Sequence, residues 1–238
     1  MNSSRLTFRR GLRDGLPICL GYLSVSFTFG IAARSGGLPL WAAQLFSMTN
    51  LTSAGQFAGL EILLKGGLLT ELFVATLVIN LRYFLMSLSL AQRLPASISG
   101  VQRAFLAFFN TDEIYAVAMT QTSPLTFSYF CGLGLLPYLG WSFGTLLGAT
   151  LFEALPASLL SALGIAIYGM FLSILLPPMT RSRAVLLTAL ISAGLSCLLS
   201  FLPFTASLSP GWRIILCTLA AASFAAWRFP VREEAGHE

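Results

Sequence analysis

Residues 68–94 read LLTELFVATLVINLRYFLMSLSLAQRL, and the fold class turns on this stretch. At about 1.5 Å of rise per residue, a helix needs roughly 20 mainly apolar residues to cross a bilayer, and this stretch supplies them. Asn80 and Arg82 lie near its middle. A charge at the bilayer centre costs at least about 2.5–3.5 kcal/mol, so Arg82 is expected to face protein or a wet cavity and to have a partner. An arginine kept at that cost points to function.

Composition extends this reading to the whole chain. Hydrophobic residues make up 56% of the sequence and charged residues 10%, with a mean hydropathy of +0.80. Soluble domains carry about 25% charged residues. The apolar residues are spread along nearly the full length, which excludes a soluble protein with one anchor. The expected fold class is an all-α, polytopic helical membrane protein. The net charge of +5 resides mostly in arginines beside apolar runs. They read as topology signals in a bilayer, with no nucleic-acid partner.

Catalytic and metal chemistry find little support. Cys19, Cys131, Cys197 and Cys217 are isolated within apolar stretches and read as small core residues, and His237 sits beside the C-terminus. The HExxH, GxSxG and GxxxxGK[ST] patterns do not occur. The expectation is no catalytic residue, no metal and no cofactor, hence not an enzyme, and ATP-driven work would need another subunit.

Apolar segments run at about 16–33, 38–64, 68–94, 125–151, 156–176, 184–204 and 212–229. The first is too long for a signal core and lacks a small-x-small cleavage site after Arg34, so it reads as a membrane helix. Segment 103–120 is apolar at both ends but contains Asn110-Thr111-Asp112-Glu113. It is a crossing lined by polar protein, a broken helix or a re-entrant segment. Counting it gives about eight crossings and omitting it about seven. With eight and the N-terminus inside, Arg5, Arg9, Arg10, Arg13, Lys65, Arg181, Arg183, Arg228 and Arg232 fall inside, against Arg34, Arg93, Arg103 and Arg213 outside. Charge bias favours eight. The organisation is a basic N-terminal segment 1–14, a single transmembrane domain 15–229 and a polar tail 230–238.

Leu16-Pro17 with Gly21-Tyr22 echoes Leu136-Pro137 with Gly140-Trp141, each opening an apolar segment. This is either an internal repeat of the kind transporters use or chance similarity. The cluster Thr49-Asn50-Leu51-Thr52-Ser53-Ala54-Gly55-Gln56 interrupts the second segment. It marks either an unwound cavity wall or a packing face, since Gly55 and Gly59 form a GxxxG. Gly140, Gly144 and Gly148 recur every four residues on one helix face and are assigned to helix packing.

Arg82, with Asp112 and Glu113 as the most central carboxylates, completes a constellation. The acid partner is either one, and the same acids are candidates to carry a proton; a purely structural ion pair is the alternative. Glu61, Lys65, Glu71 and Glu153 read as interfacial anchors.

These residues resemble the AzlC (azaleucine-resistance) family over roughly residues 11–180. The resemblance rests on Gly15-Leu16-Pro17, Gly21-Tyr22, Phe29-Gly30, Ala54-Gly55-Gln56-Phe57-Ala58, Asn80-Leu81-Arg82-Tyr83 and Thr111-Asp112-Glu113. The chain departs from the family pattern at Gly55, often Ser there, and at Tyr83, usually His. It also has Ile165-Ala166-Ile167-Tyr168 where the family often has an Asp after the position of Gly164.

The resemblance implies the large subunit of a bacterial branched-chain amino acid exporter. It would be a proton-driven secondary transporter of leucine, isoleucine, valine and methionine in the cytoplasmic (inner) membrane, with its N-terminus cytoplasmic and a small AzlD-type membrane subunit as partner. A zwitterionic substrate needs a cation, an anion and an apolar pocket. Arg82 suits the carboxylate, Asp112 or Glu113 the ammonium, Gln56 and Asn80 neutral hydrogen bonds, and Ala54, Gly55 and Phe57 the pocket border. The alternatives are a transporter or channel for another small solute on this scaffold, and an intramembrane enzyme or assembly subunit.

Overall fold

The computed structural model describes residues 6–156, 158–159, 162, 169, 172, 175–202 and 208–229, and among them regular structure is entirely helical. In chain order these are α1 (Phe8–Ser35), α2 (Leu40–Thr49), α3 (Ala54–Leu64), α4 (Leu69–Arg93), α5 (Gly100–Phe108), α6 (Asp112–Met119), α7 (Phe127–Leu151, extended by a 3-10 turn Phe152–Ala154), α8 (Arg183–Phe201) and α9 (Pro210–Arg228). Four of them, α1, α4, α7 with its 3-10 turn and α8, are long and apolar enough to cross a membrane. The protein is a polytopic helical membrane protein with interrupted helices. Most of the expected segment 156–176, residues 164–168, the tail 230–238 and His237 lie outside the described residues.

The chain divides into two compact units, Met1–Phe57 with Asn80–Ile167, and Ala58–Ile79 with Tyr168–Glu238. The first is organised on α1 and α7. Thr7 caps α1 by accepting from the Arg10 amide, and Thr126 caps α7 by accepting from the Tyr129 amide at 3.1 Å. Gly37, at φ +89°, ends the chain segment after α1 in a conformation that favours glycine.

Cys19 lies against Gly140, Leu23 against Gly144 and Phe27 against Gly148, so α1 and α7 advance together and run parallel. A side chain at any of these three glycines would collide with α1 backbone. In lipid, where hydrophobic burial does not drive helices together, such close backbone packing is a main source of association.

The interrupted segments fold back. Phe46 before the Asn50–Ser53 break stacks on Phe29 of α1 and Phe57 after it meets the same ring edge-on, with ring centroids 5.8 and 5.3 Å away, so α2 and the first turn of α3 form a hairpin. Ser53, at φ +46°, sits at its tip. The second hairpin is α5–α6. Ser99 and Gln102 start α5 with a reciprocal capping box. Arg103 donates to the Ala91 carbonyl, Asn110 reaches Ser87, Tyr115 returns to Ser89, and Gln121 meets Arg93. Segment 103–120 therefore folds back on itself along α4 in this unit.

That geometry corrects the charge placement expected from eight crossings. Arg10 and Arg93 both bond Gln121, so Arg93 lies at the α1 N-terminal end and not at the opposite one. Arg103, tied to Ala91, Leu94 and Pro95 carbonyls, sits with that same end of α4.

In the second unit α8 and α9 pack together, and Ile62, Ala75 and Ile215 form a small apolar core. Glu71 is not an interfacial anchor: it is buried, 2% exposed, and accepts from the Gly211 amide at 2.7 Å and the Ser209 hydroxyl. A carboxylate at the positive end of a helix replaces the missing intrahelical partners there. Glu61 and Lys65 form an exposed i,i+4 pair at 2.6 Å. Cys217 is buried, Cys19 and Cys131 are half-buried, and Cys197 is exposed, contrary to a core role for it.

Candidate functional site

Both hairpin tips reach Tyr22, halfway along α1. Leu51, in the first tip, packs with Tyr22 and Trp141. In the second tip Thr111 lies 2.7 Å from the Tyr22 hydroxyl, and the Glu113 carboxylate accepts a hydrogen bond from the same hydroxyl. The Trp141 ring of α7 meets the Tyr22 ring edge-on, with centroids 5.3 Å apart. One side chain thus ties α1, α6, α7 and the α2–α3 loop.

The chemistry gathers around this junction. Arg82 of α4 pairs with Asp112, the first residue of α6, at 2.9 Å, and both side chains are about two-fifths exposed, at 43% and 42%. Arg82 is partnered but not enclosed. Its guanidinium also donates to the Tyr83 hydroxyl at 3.2 Å and lies 4.9 Å from the Tyr83 ring centre, a cation–π distance. The Tyr83 hydroxyl reaches the Thr52 carbonyl at 3.4 Å, linking the ion pair to the α2–α3 tip.

Gln56 is fully buried, and both ends of its amide are taken: Nε2 donates to Ser47 at 2.6 Å and Oε1 accepts from the Trp141 indole at 2.9 Å. Ser47 also bonds Thr145 of α7 at 2.6 Å. This network fixes the first turn of α3 to α7. Gly55 is buried beneath the Asn80 side chain, so a β-carbon there would press on the amide and on Thr52. Ala54 opens α3, and Phe57 joins Phe29 and Phe46 in an aromatic cluster.

Two acceptors in this region are buried without a partner among the described residues, Asn80 Oδ1 and Asn110 Oδ1. Asn110 is 4% exposed. An unsatisfied buried acceptor costs about 1–3 kcal/mol, and each calls for a physical reason. An added hydrogen-bond donor would satisfy them. The Arg82 cation, the Asp112 carboxylate and open acceptors together can hold a small zwitterion. Among the described residues no group of His, Cys, Asp and Glu forms a metal site.

Gly140, Gly144 and Gly148 lie on the α1–α7 seam and outside this junction. Tyr22, Tyr83, Thr52 and Asn110 belong to the junction but were not among the residues singled out for binding. The Gly21-Tyr22 and Arg82-Tyr83 pairs carried the only sequence signal for the tyrosines.

Comparison with known proteins agrees with the earlier resemblance. Residues 17–155 match the family described as AzlC protein. An uncharacterized membrane protein of Archaeoglobus fulgidus is 35% identical over 177 residues, covering 74% of this chain and 77% of that one. The inner membrane protein YgaZ of Escherichia coli is 28% identical over 198 residues, 80% of each chain. No solved structure matches. The chain belongs to the AzlC family.

Proposed function

We propose that this AzlC-family membrane protein is a secondary active exporter of branched-chain amino acids, with leucine, isoleucine, valine and methionine as substrates. In this reading it is driven by the proton gradient and works with a small AzlD-type subunit in a bacterial cytoplasmic membrane, its N-terminus cytoplasmic.

The observation that carries the reading is the half-open Arg82–Asp112 pair at the meeting of two hairpin tips. A cation and an anion 2.9 Å apart present the charge pattern that an α-amino acid complements. On binding, the substrate carboxylate takes Arg82 in the bidentate manner guanidinium favours, and its ammonium takes Asp112. Asn80 contributes a neutral hydrogen bond, and Gln56 acts by holding the first turn of α3. Ala54, Gly55 and Phe57 border the pocket for the aliphatic side chain. Interrupted helices near the bilayer midplane are where secondary transporters place such sites.

The test is leucine counterflow in vesicles containing the chain and an AzlD-type subunit, with isoleucine, valine, methionine, lysine and glutamate as competitors. Competition by the aliphatic amino acids and not by the charged ones is expected. Counterflow of another solute with none of leucine would move the assignment to that solute; flux without counterflow would indicate a channel.

A further inference from the structure

Four acidic residues have a basic partner: Asp14 with Arg10, Glu61 with Lys65, Asp112 with Arg82 and Glu153 with Arg34. Among the described residues, no salt bridge reaches Glu71 or Glu113. Glu71 is buried and held as an acceptor at the N-terminus of α9, which closes it to solvent. Glu113, in the first turn of α6, differs in its access to solvent. It is exposed, and its carboxylate is held by the Tyr22 phenol. The other charged and titratable groups around it are Tyr83 and Arg82 from α4 and Asp112 beside it on α6.

The geometry points to Glu113 as the proton-binding group of the transport cycle, separate from the Arg82–Asp112 pair that binds substrate; this rests on the reading of proton-driven amino acid export given above. Tyr22 has one phenolic proton for two partners. When Glu113 is a carboxylate, Tyr22 donates to it and accepts from Thr111. When a proton binds a Glu113 carboxyl oxygen, that carboxyl donates to the Tyr22 oxygen and Tyr22 donates to Thr111. The proton arrives from the acidic side and leaves from the same oxygen to the other side, so none is created or lost. Protonation thereby reverses the hydrogen bonds that tie the α5–α6 tip to α1, and the same junction carries the substrate pair. Tyr22 is a positioning residue in this scheme.

The experiment compares the native protein, Glu113→Gln, Glu113→Asp and Asp112→Asn in vesicles with an AzlD-type subunit, at matched protein content. Two readouts are taken: leucine counterflow at fixed pH, and leucine accumulation driven by an acid vesicle interior. E113Q is expected to keep counterflow within about threefold while gradient-driven accumulation falls to the level without a gradient. E113D restores gradient-driven accumulation, and D112N loses both activities.

Gradient-driven accumulation by E113Q overturns the assignment while leaving the amino acid reading intact. Loss of counterflow in E113Q, with E113D active in both assays, overturns it too, making Glu113 a substrate ligand. Absence of leucine counterflow in the native protein removes the reading on which the assignment rests and overturns both.

Discussion

The guanidinium of Arg82 lies 2.9 Å from the carboxylate of Asp112, joining the middle of α4 to the start of α6. Because both side chains are partly open, the pair contributes little to stability, no more than about 1 kcal/mol. Its alternative as a purely structural bridge therefore predicts little from conservative change. The substrate role predicts much. Arg82→Lys keeps the charge and loses the planar fork, so leucine efflux should fall roughly tenfold or more at unchanged membrane abundance. Efflux assays with quantified membrane protein check this.

The α1–α7 seam makes a second, structural prediction. A methyl group at Gly148 would collide with the Phe27 carbonyl, whereas Gly21 has open space around its β-position. Gly148→Ala should lose about 1–3 kcal/mol of stability through overpacking. Gly21→Ala should be neutral or gain up to about 1 kcal/mol from the lower entropy cost of alanine in a helix. Thermal unfolding of the two variants in the same detergent compares them directly.

Gln56→Leu removes the partner of the buried Trp141 indole N–H and one of the two partners of the Ser47 hydroxyl, which keeps Thr145. The orphaned indole N–H costs about 1–3 kcal/mol, offset in part by the added apolar burial. The expected result is a lowered unfolding midpoint together with reduced leucine efflux, since the first turn of α3 loses its attachment to α7. Trp141→Phe, which removes the donor and leaves Gln56 Oε1 unpaired, should show a smaller loss of the same sign.

Sidedness separates a re-entrant α5–α6 from a complete crossing. Arg10 and Arg93 both bond Gln121, and Ser99 caps the start of α5. Single cysteines at Ser99 and Gln121, in a background lacking the native cysteines, should label from the same side as one at Arg9. A crossing would put Ser99 and Gln121 on opposite sides.

Much of this arrangement was legible in the sequence. Hydropathy and length gave the class and most segment positions, and the cost of a mid-membrane charge required a partner for Arg82. The folding-back was not legible. The hairpin arms α2, α3, α5 and α6 have 10, 11, 9 and 8 residues. They reach only about 12–17 Å, roughly half the hydrocarbon thickness. Two such arms in sequence have the length of one span, and apolarity does not record that the chain reverses between them. The charge count misplaced Arg93 for the same reason. Tyr22 stayed hidden because its partners Thr111 and Glu113 are 89 and 91 residues away. A lone tyrosine in an apolar helix carries no spacing signal. Glu71 read as an anchor because the amide it caps, at Gly211, is likewise distant, 140 residues along the chain.

The most direct measurement is leucine efflux from preloaded cells expressing this chain with an AzlD-type subunit, set against Arg82→Ala at matched membrane abundance. The account predicts rapid leucine efflux by the native pair and its loss in R82A. Equal leucine retention in native-pair and empty cells, or undiminished efflux in R82A, would contradict it.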